Sequence, residues 1–148
     1  MRYMLIMEAP ESMALGGPDA PPPEEVFEAM GRFNHDLVEA GVLLAAEGLA
    51  PSSDGFLVTH DGEGPSVTDG PFTEAKELVA GFWMLEVASR EEAVQWAGRC
   101  PIGPGVTLQV RRIAEMSDLE DVAPAEVLDA EATLRRRLAD HEAEREQV

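Results

Sequence analysis

The sequence predicts an α+β fold on the ferredoxin-like plan: a βαββαβ antiparallel sheet with a hairpin insertion, assembled as a dimeric α+β barrel. Three observations predict it. The segments run strand, helix, strand, hairpin, strand, helix, strand. Two helices from split β-α-β units cover only one face of a four-stranded sheet. The strands that fall in the middle are nonetheless apolar on both faces, so the second face needs a cover, and the same face of a second copy is the simplest one.

Residues 1–7 read as a strand in which Tyr3, Leu5 and Met7 face one way and Met4 and Ile6 the other, all apolar. Residues 8–23 include Gly16, Gly17, Pro18 and three consecutive prolines, and read as a long loop of the kind that often carries function. Pro23 suits the first turn of a helix, and Glu24 and Glu25 complement its dipole. Val26, Met30, Phe33 and Leu37 recur at helical spacing. Gly41 supplies the left-handed residue that ends the helix. Residues 42–46 form the second strand, and Asp61-Gly62 between two short strands signals a hairpin. In residues 79–87, Phe82 and Met84 oppose Trp83, Leu85 and Val87, again apolar on both sides. Ser89 and Glu92 make a capping box for the second helix, whose inner stripe is Ala93, Trp96, Ala97 and Cys100. In the last strand Val106, Leu108 and Val110 alternate with Thr107, Gln109 and Arg111, which gives one apolar and one polar face.

Residues 1–113 complete this domain, and residues 114–148 are an acidic helical extension. Pro124 opens its helix, with acids early and Arg135, Arg136, Arg137 and Arg145 late. Val127, Ala130, Leu134 and Leu138 form a narrow apolar stripe. Docking on its own domain, an arm across the dimer and a partly disordered tail are all open readings.

Twenty-nine acidic residues against eleven Lys plus Arg leave a formal net charge of −18. Nucleic-acid binding needs Lys and Arg to displace counterions, and anionic lipid needs the same sign of charge, so neither partner is expected. The single Cys100 excludes an internal disulfide and suits a reducing cytoplasm. No run is long and apolar enough to span a membrane. Residues 1–7 lack the basic start and long apolar stretch of a signal peptide. His35, His60 and His141 share no ligand spacing, and no phosphate or dinucleotide motif is present, so no metal and no cofactor is expected.

Ionisable groups concentrate around the Gly-Pro turn of residues 67–77, where Asp69, Glu74 and Glu77 surround Lys76, the one lysine of the chain. Asp69 either accepts backbone N–H groups of the turn or serves as a general base or a holder of a substrate donor. Lys76 either pairs with Glu74 or Asp69 or, beside a cavity, acts as base or Schiff-base nucleophile. Asp69 and Lys76 are therefore the catalytic candidates. Glu74, Glu77, Tyr3, Trp83 and Arg111 are the ligand-binding candidates. Arg111 points into the space between facing sheets, where its guanidinium matches a carboxylate of a ligand, or of Glu47 or Glu86. Tyr3 and Trp83 line a pocket or pack the core.

Asp69-Gly70-Pro71-Phe72, followed by Glu74, Lys76, Glu77 and Gly81-Phe82-Trp83, resembles the YCII-related family in the subgroup known for its DGPF motif. Met30-Gly31-Arg32-Phe33-Asn34, the turn Glu47-Gly48-Leu49-Ala50-Pro51-Ser52 and Arg99-Cys100-Pro101 fit the same resemblance in order, over roughly residues 1–113. The resemblance implies a dimeric α+β barrel. By analogy of fold it implies a binder of a small organic acid, as a lyase or isomerase, in a pocket near the DGPF turn. It equally implies a regulatory module associated with extracytoplasmic-function sigma factors, with the extension available to a protein partner.

Overall fold

The structure, a computed structural model, describes residues 1–13, 19, 23–72 and 77–145. It divides into two compact units, Met1–Arg112 and Ile113–Val148. The first is a mixed α+β unit compatible with the ferredoxin-like plan. Strand β1 (Arg2–Ala9) leads through a 3-10 turn (Glu11–Met13) to helix α1 (Pro23–Glu39) and strand β2 (Leu43–Gly48). Strands β3 (Phe56–His60) and β4 (Pro65–Asp69) form a separate two-stranded hairpin. Strand β5 (Leu78–Glu86), helix α2 (Arg90–Arg99) and strand β6 (Thr107–Arg112) complete the unit. The four-stranded sheet is antiparallel at every pairing and runs β2-β5-β1-β6.

The sequence signals act where expected. Gly41 takes φ +68° after α1, and Gly62 takes φ +97° in the hairpin turn. The Ser89 hydroxyl accepts the Glu92 N–H at 3.2 Å, and the Glu92 carboxylate accepts the Ala88 N–H at 2.8 Å. The first satisfies an amide that α2 leaves open at its start, and the second ties down the residue before the cap.

Register decides which side of the sheet each residue faces. Leu43, Leu85, Tyr3 and Arg112 share one rung, and Ala46, Trp83, Leu5 and Val110 another. This side lies under the helices. Leu5, Leu37 and Leu85 are fully buried among Tyr3, Phe33, Trp83, Val87, Ala93 and Cys100. Trp83 meets Phe33 edge-on at 5.9 Å, and its indole N–H donates to Asn34 Oδ1 at 2.8 Å. That bond satisfies the one polar atom the ring carries into the core. Arg99 ties the two helices together by an ion pair to Asp36, and its guanidinium stands 4.3 Å from the Trp96 ring centre. The opposite side carries the rungs Ala45–Met84–Met4–Arg111 and Glu47–Phe82–Ile6–Gln109, with Met4, Ile6, Phe82 and Met84 half-buried.

The second unit holds a 3-10 turn (Met116–Asp118) and helix α3 (Ala125–Arg145). Glu131 and Arg135 pair along one side of α3 at 3.1 Å. Val127, Leu134 and Leu138 of the apolar stripe are all more than half exposed. No helix among the described residues is long and apolar enough to cross a membrane.

Two outcomes follow from this packing. Leu85→Ala should cost about 2–5 kcal/mol, because it empties a fully buried site; urea unfolding measures it. Burial pushes the Cys100 thiol up from 9.0 to about 11. The folded thiol therefore stays protonated and unreactive toward a thiol reagent at neutral pH, and reacts once the chain is unfolded. Above pH 9 the unfolded chain loses this proton before the folded one does. The Cys100 contribution to stability is thus intact below pH 9 and lost as pH rises through about 11. Comparison of wild type with Cys100→Ala across that window reads it out.

Candidate functional site

The DGPF turn is held shut by residues remote from it in sequence. Ser52, in a 3-10 turn (Ser52–Asp54) after β2, is the knot. Its hydroxyl lies 2.7 and 2.8 Å from the two carboxylate oxygens of Glu11, and its backbone N–H donates to Glu11 Oε1 at 3.1 Å. The same hydroxyl oxygen accepts the Phe72 N–H at 3.0 Å. The Gly70 N–H donates to the Gly55 carbonyl at 2.9 Å, and the Gly55 N–H donates to the Ser52 carbonyl at 3.0 Å. The Gly70-Pro71 peptide bond is cis.

Glycine at position 70 is a steric requirement. A Cβ there would sit 1.8 Å from the Ser52 carbonyl oxygen. The Phe72 ring closes the other side, 3.5 Å from where a Cβ on Gly55 would lie. Charge-assisted bonds of the Ser52–Glu11 kind are stronger than neutral ones. They fasten the segment after β1 and the turn after β2 to the turn that precedes β5.

Asp69 ends β4, opposite Phe56, and is exposed. Its carboxylate makes no hydrogen bond or ion pair among the described residues. Among the described residues it is the Ser52 hydroxyl, and not this carboxylate, that accepts the Phe72 N–H. Glu77 is exposed at the entry to β5. Glu74 and Lys76 lie outside the described residues.

The remaining candidates do not converge on this turn. Tyr3 and Trp83 belong to the core beneath the helices. Arg111 is exposed on the opposite side of the sheet, in the rung of Met4 and Met84. It stands four residues along β6 from Thr107, the strand's first residue, so roughly 13 Å away at about 3.3 Å per residue. His35, His60 and His141 are exposed on α1, β3 and α3. No group of three or more His, Cys, Asp or Glu side chains that could hold a metal ion exists among the described residues. A shallow hollow of about 310 Å³ between Arg32, Phe33, Asp36 and Arg99 opens on the helix side, where the Asp36–Arg99 pair is already satisfied.

Glu11 and Ser52 were not singled out as a pair from sequence, and no local pattern could have done so, since 41 positions separate them. Ser52 enters the motif turn that follows β2, and that was its one visible signal.

Residues 1–117 match the model of the YCII-related domain. The chain belongs to the YCII-related domain family. Within it, the DGPF turn, the Ser52 turn and the β5 start fall inside the matched span. "Uncharacterized protein R00369" of Rhizobium meliloti (strain 1021) is 34% identical over 74 residues, which is 50% of this chain and 60% of that protein. The match thus covers less than two thirds of that relative's length.

Substitutions separate the knot from the carboxylate it leaves free. Ser52→Ala strips Glu11 and the Phe72 N–H of their partner and should cost about 1.5–3 kcal/mol. Asp69→Ala should shift stability by less than about 0.5 kcal/mol, as for other exposed positions. Denaturant midpoints of the two variants test the contrast.

Proposed function

We propose that this YCII-related protein is a cytoplasmic homodimer that binds a small organic acid beside the DGPF turn and acts on it as a lyase or isomerase. One observation carries the reading: Asp69 stands on a turn locked by Glu11 and Ser52, with its own carboxylate unused among the described residues. A carboxylate that is rigidly mounted, and not needed for the mounting, is free to take a proton or a hydrogen bond from a substrate. Lys76 enters by its charge, as the one lysine near the turn, and offers an ammonium to the substrate's carboxylate. A second copy lies over the open face of the sheet, and the two copies form the dimeric α+β barrel.

A protein-binding role is the second reading, favoured by the exposed stripe of Val127, Leu134 and Leu138 on the acidic helix α3. In that case the chain is a regulatory module of the kind associated with extracytoplasmic-function sigma factors, and α3 takes the partner.

Thermal-shift screening against a panel of small carboxylic acids tests the first reading. A binding acid should raise the melting midpoint of the wild type. Asp69→Asn and Lys76→Met should abolish that rise while leaving the ligand-free midpoint in place. If no acid shifts the wild type, or if the variants respond as the wild type does, the site is not at this turn.

A further inference from the structure

The hairpin of β3 and β4 has two outer edges, and one of them is blunted. Among the described residues the two strands pair with each other and with no third strand. The bond from the Gly70 N–H to the Gly55 carbonyl fixes the phase of the ladder. Bonded and non-bonded pairs alternate from there. Phe56–Asp69, Val58–Val67 and His60–Pro65 are therefore the pairs whose backbone groups point outward. On β4 the outward row begins with Pro65, which has no N–H to offer. On β3 the row presents the N–H and carbonyl of Phe56, Val58 and His60. That strand has no proline and no lysine, and its register is unbroken. An edge left in this state is a template for another strand.

Charge and side chains say what fits there. Asp54 and Asp61 bracket β3 and are exposed, and neither has an ion-pair partner among the described residues. Between Arg32 and Lys76 the chain has no Lys or Arg. Phe56, Val58 and Val67 share one face of the hairpin and are all exposed. We infer that the outer edge of β3 takes up an extended basic segment of another protein as a third strand of the hairpin. Main-chain bonds to Phe56, Val58 and His60 hold that segment. Val or Ile at its alternate positions lies against Phe56 and Val58, and Lys or Arg at its two ends meets Asp54 and Asp61. A second copy of this chain fits the edge poorly. Antiparallel pairing of β3 with itself brings the Asp54 end of one copy to the Asp61 end of the other, and two chains of net charge −18 repel. This inference is independent of both readings above, because Asp69 lies on β4 and α3 belongs to the other unit.

Two measurements on the full chain test this: amide hydrogen exchange read by NMR, and fluorescence anisotropy of a labelled, end-capped peptide Lys-Val-Thr-Val-Thr-Val-Thr-Lys. In the free chain the amides of Phe56, Val58 and His60 should exchange fast, and saturating peptide should slow all three. Glu in place of both Lys should weaken binding by about tenfold or more. N-methylation of one alternate set of the peptide's amides should weaken it by about tenfold or more, and methylation of the other set should spare it. Asp54→Asn/Asp61→Asn should weaken it by about fivefold while keeping the side-chain oxygen that accepts the Glu63 N–H. Val58→Pro should abolish it by removing the central outward N–H, and circular dichroism checks that the fold survives; the methylated peptides carry the test if it does not. Slow exchange of the three amides in the free chain would mean that a second copy, or another segment of this chain, already covers the edge, and overturns the inference. So does the absence of saturable binding, or binding that ignores both methylated sets.

Discussion

The register between β1 and β5 is the constraint on which the first unit depends. Side chains alternate along a strand, so the pairing that sends Tyr3, Leu5, Trp83 and Leu85 under the helices commits Met4, Ile6, Phe82 and Met84 to the other side. A slip of one residue would exchange the two sets. The indole N–H that Asn34 now satisfies would lose its partner, and the core beneath α1 and α2 would lose its largest ring. The helices in turn need that side: Phe33 and Leu37 are buried because the sheet presents apolar rungs to them.

The same register separates residues that a reading along the chain groups together. Tyr3, Trp83 and Arg111 all sit on the sheet and all have the chemistry of a binding site. Two face the helices and one faces away, so no single cavity within one chain can use all three. What remains near the DGPF turn is acidic apart from Lys76. Two amides of the turn do not rely on those acids: the Phe72 N–H is satisfied by a serine hydroxyl and the Gly70 N–H by a backbone carbonyl. Structural work and chemical potential are thus divided between different residues, Glu11 and Ser52 on one side and Asp69 on the other.

Two exposed apolar features have no partner in the chain as described. The hairpin of β3 and β4 shows Phe56, Val58 and Val67 to solvent, and α3 shows its narrow stripe. Two-stranded hairpins are marginal by themselves in water. In the hairpin, that marginality is offset at one end, where the Gly70 N–H to Gly55 carbonyl bond and the Ser52 knot continue its pairing into the turn.

The amino-acid sequence by itself determined the order of the elements, the caps and turns that bound them, and the two-faced apolarity of the central strands. These are local properties: a period of two or of 3.6, a Ser-x-x-Glu box, a glycine at positive φ. It also marked residues 67–77 as the place where ionisable groups gather. Strand ends moved by one or two residues in the structure, because pairing rather than pattern stops a ladder. Tertiary structure alone decided that Trp83 packs rather than lines a pocket, and that Asp69 has no partner among the described residues. Each of those outcomes depends on a partner far along the chain: Asn34 for Trp83, 49 positions away, and Glu11 for Ser52, 41 positions away. Spacing along a sequence reports neighbours within one strand or helix, whereas such bonds exist only once the sheet has brought its ends together.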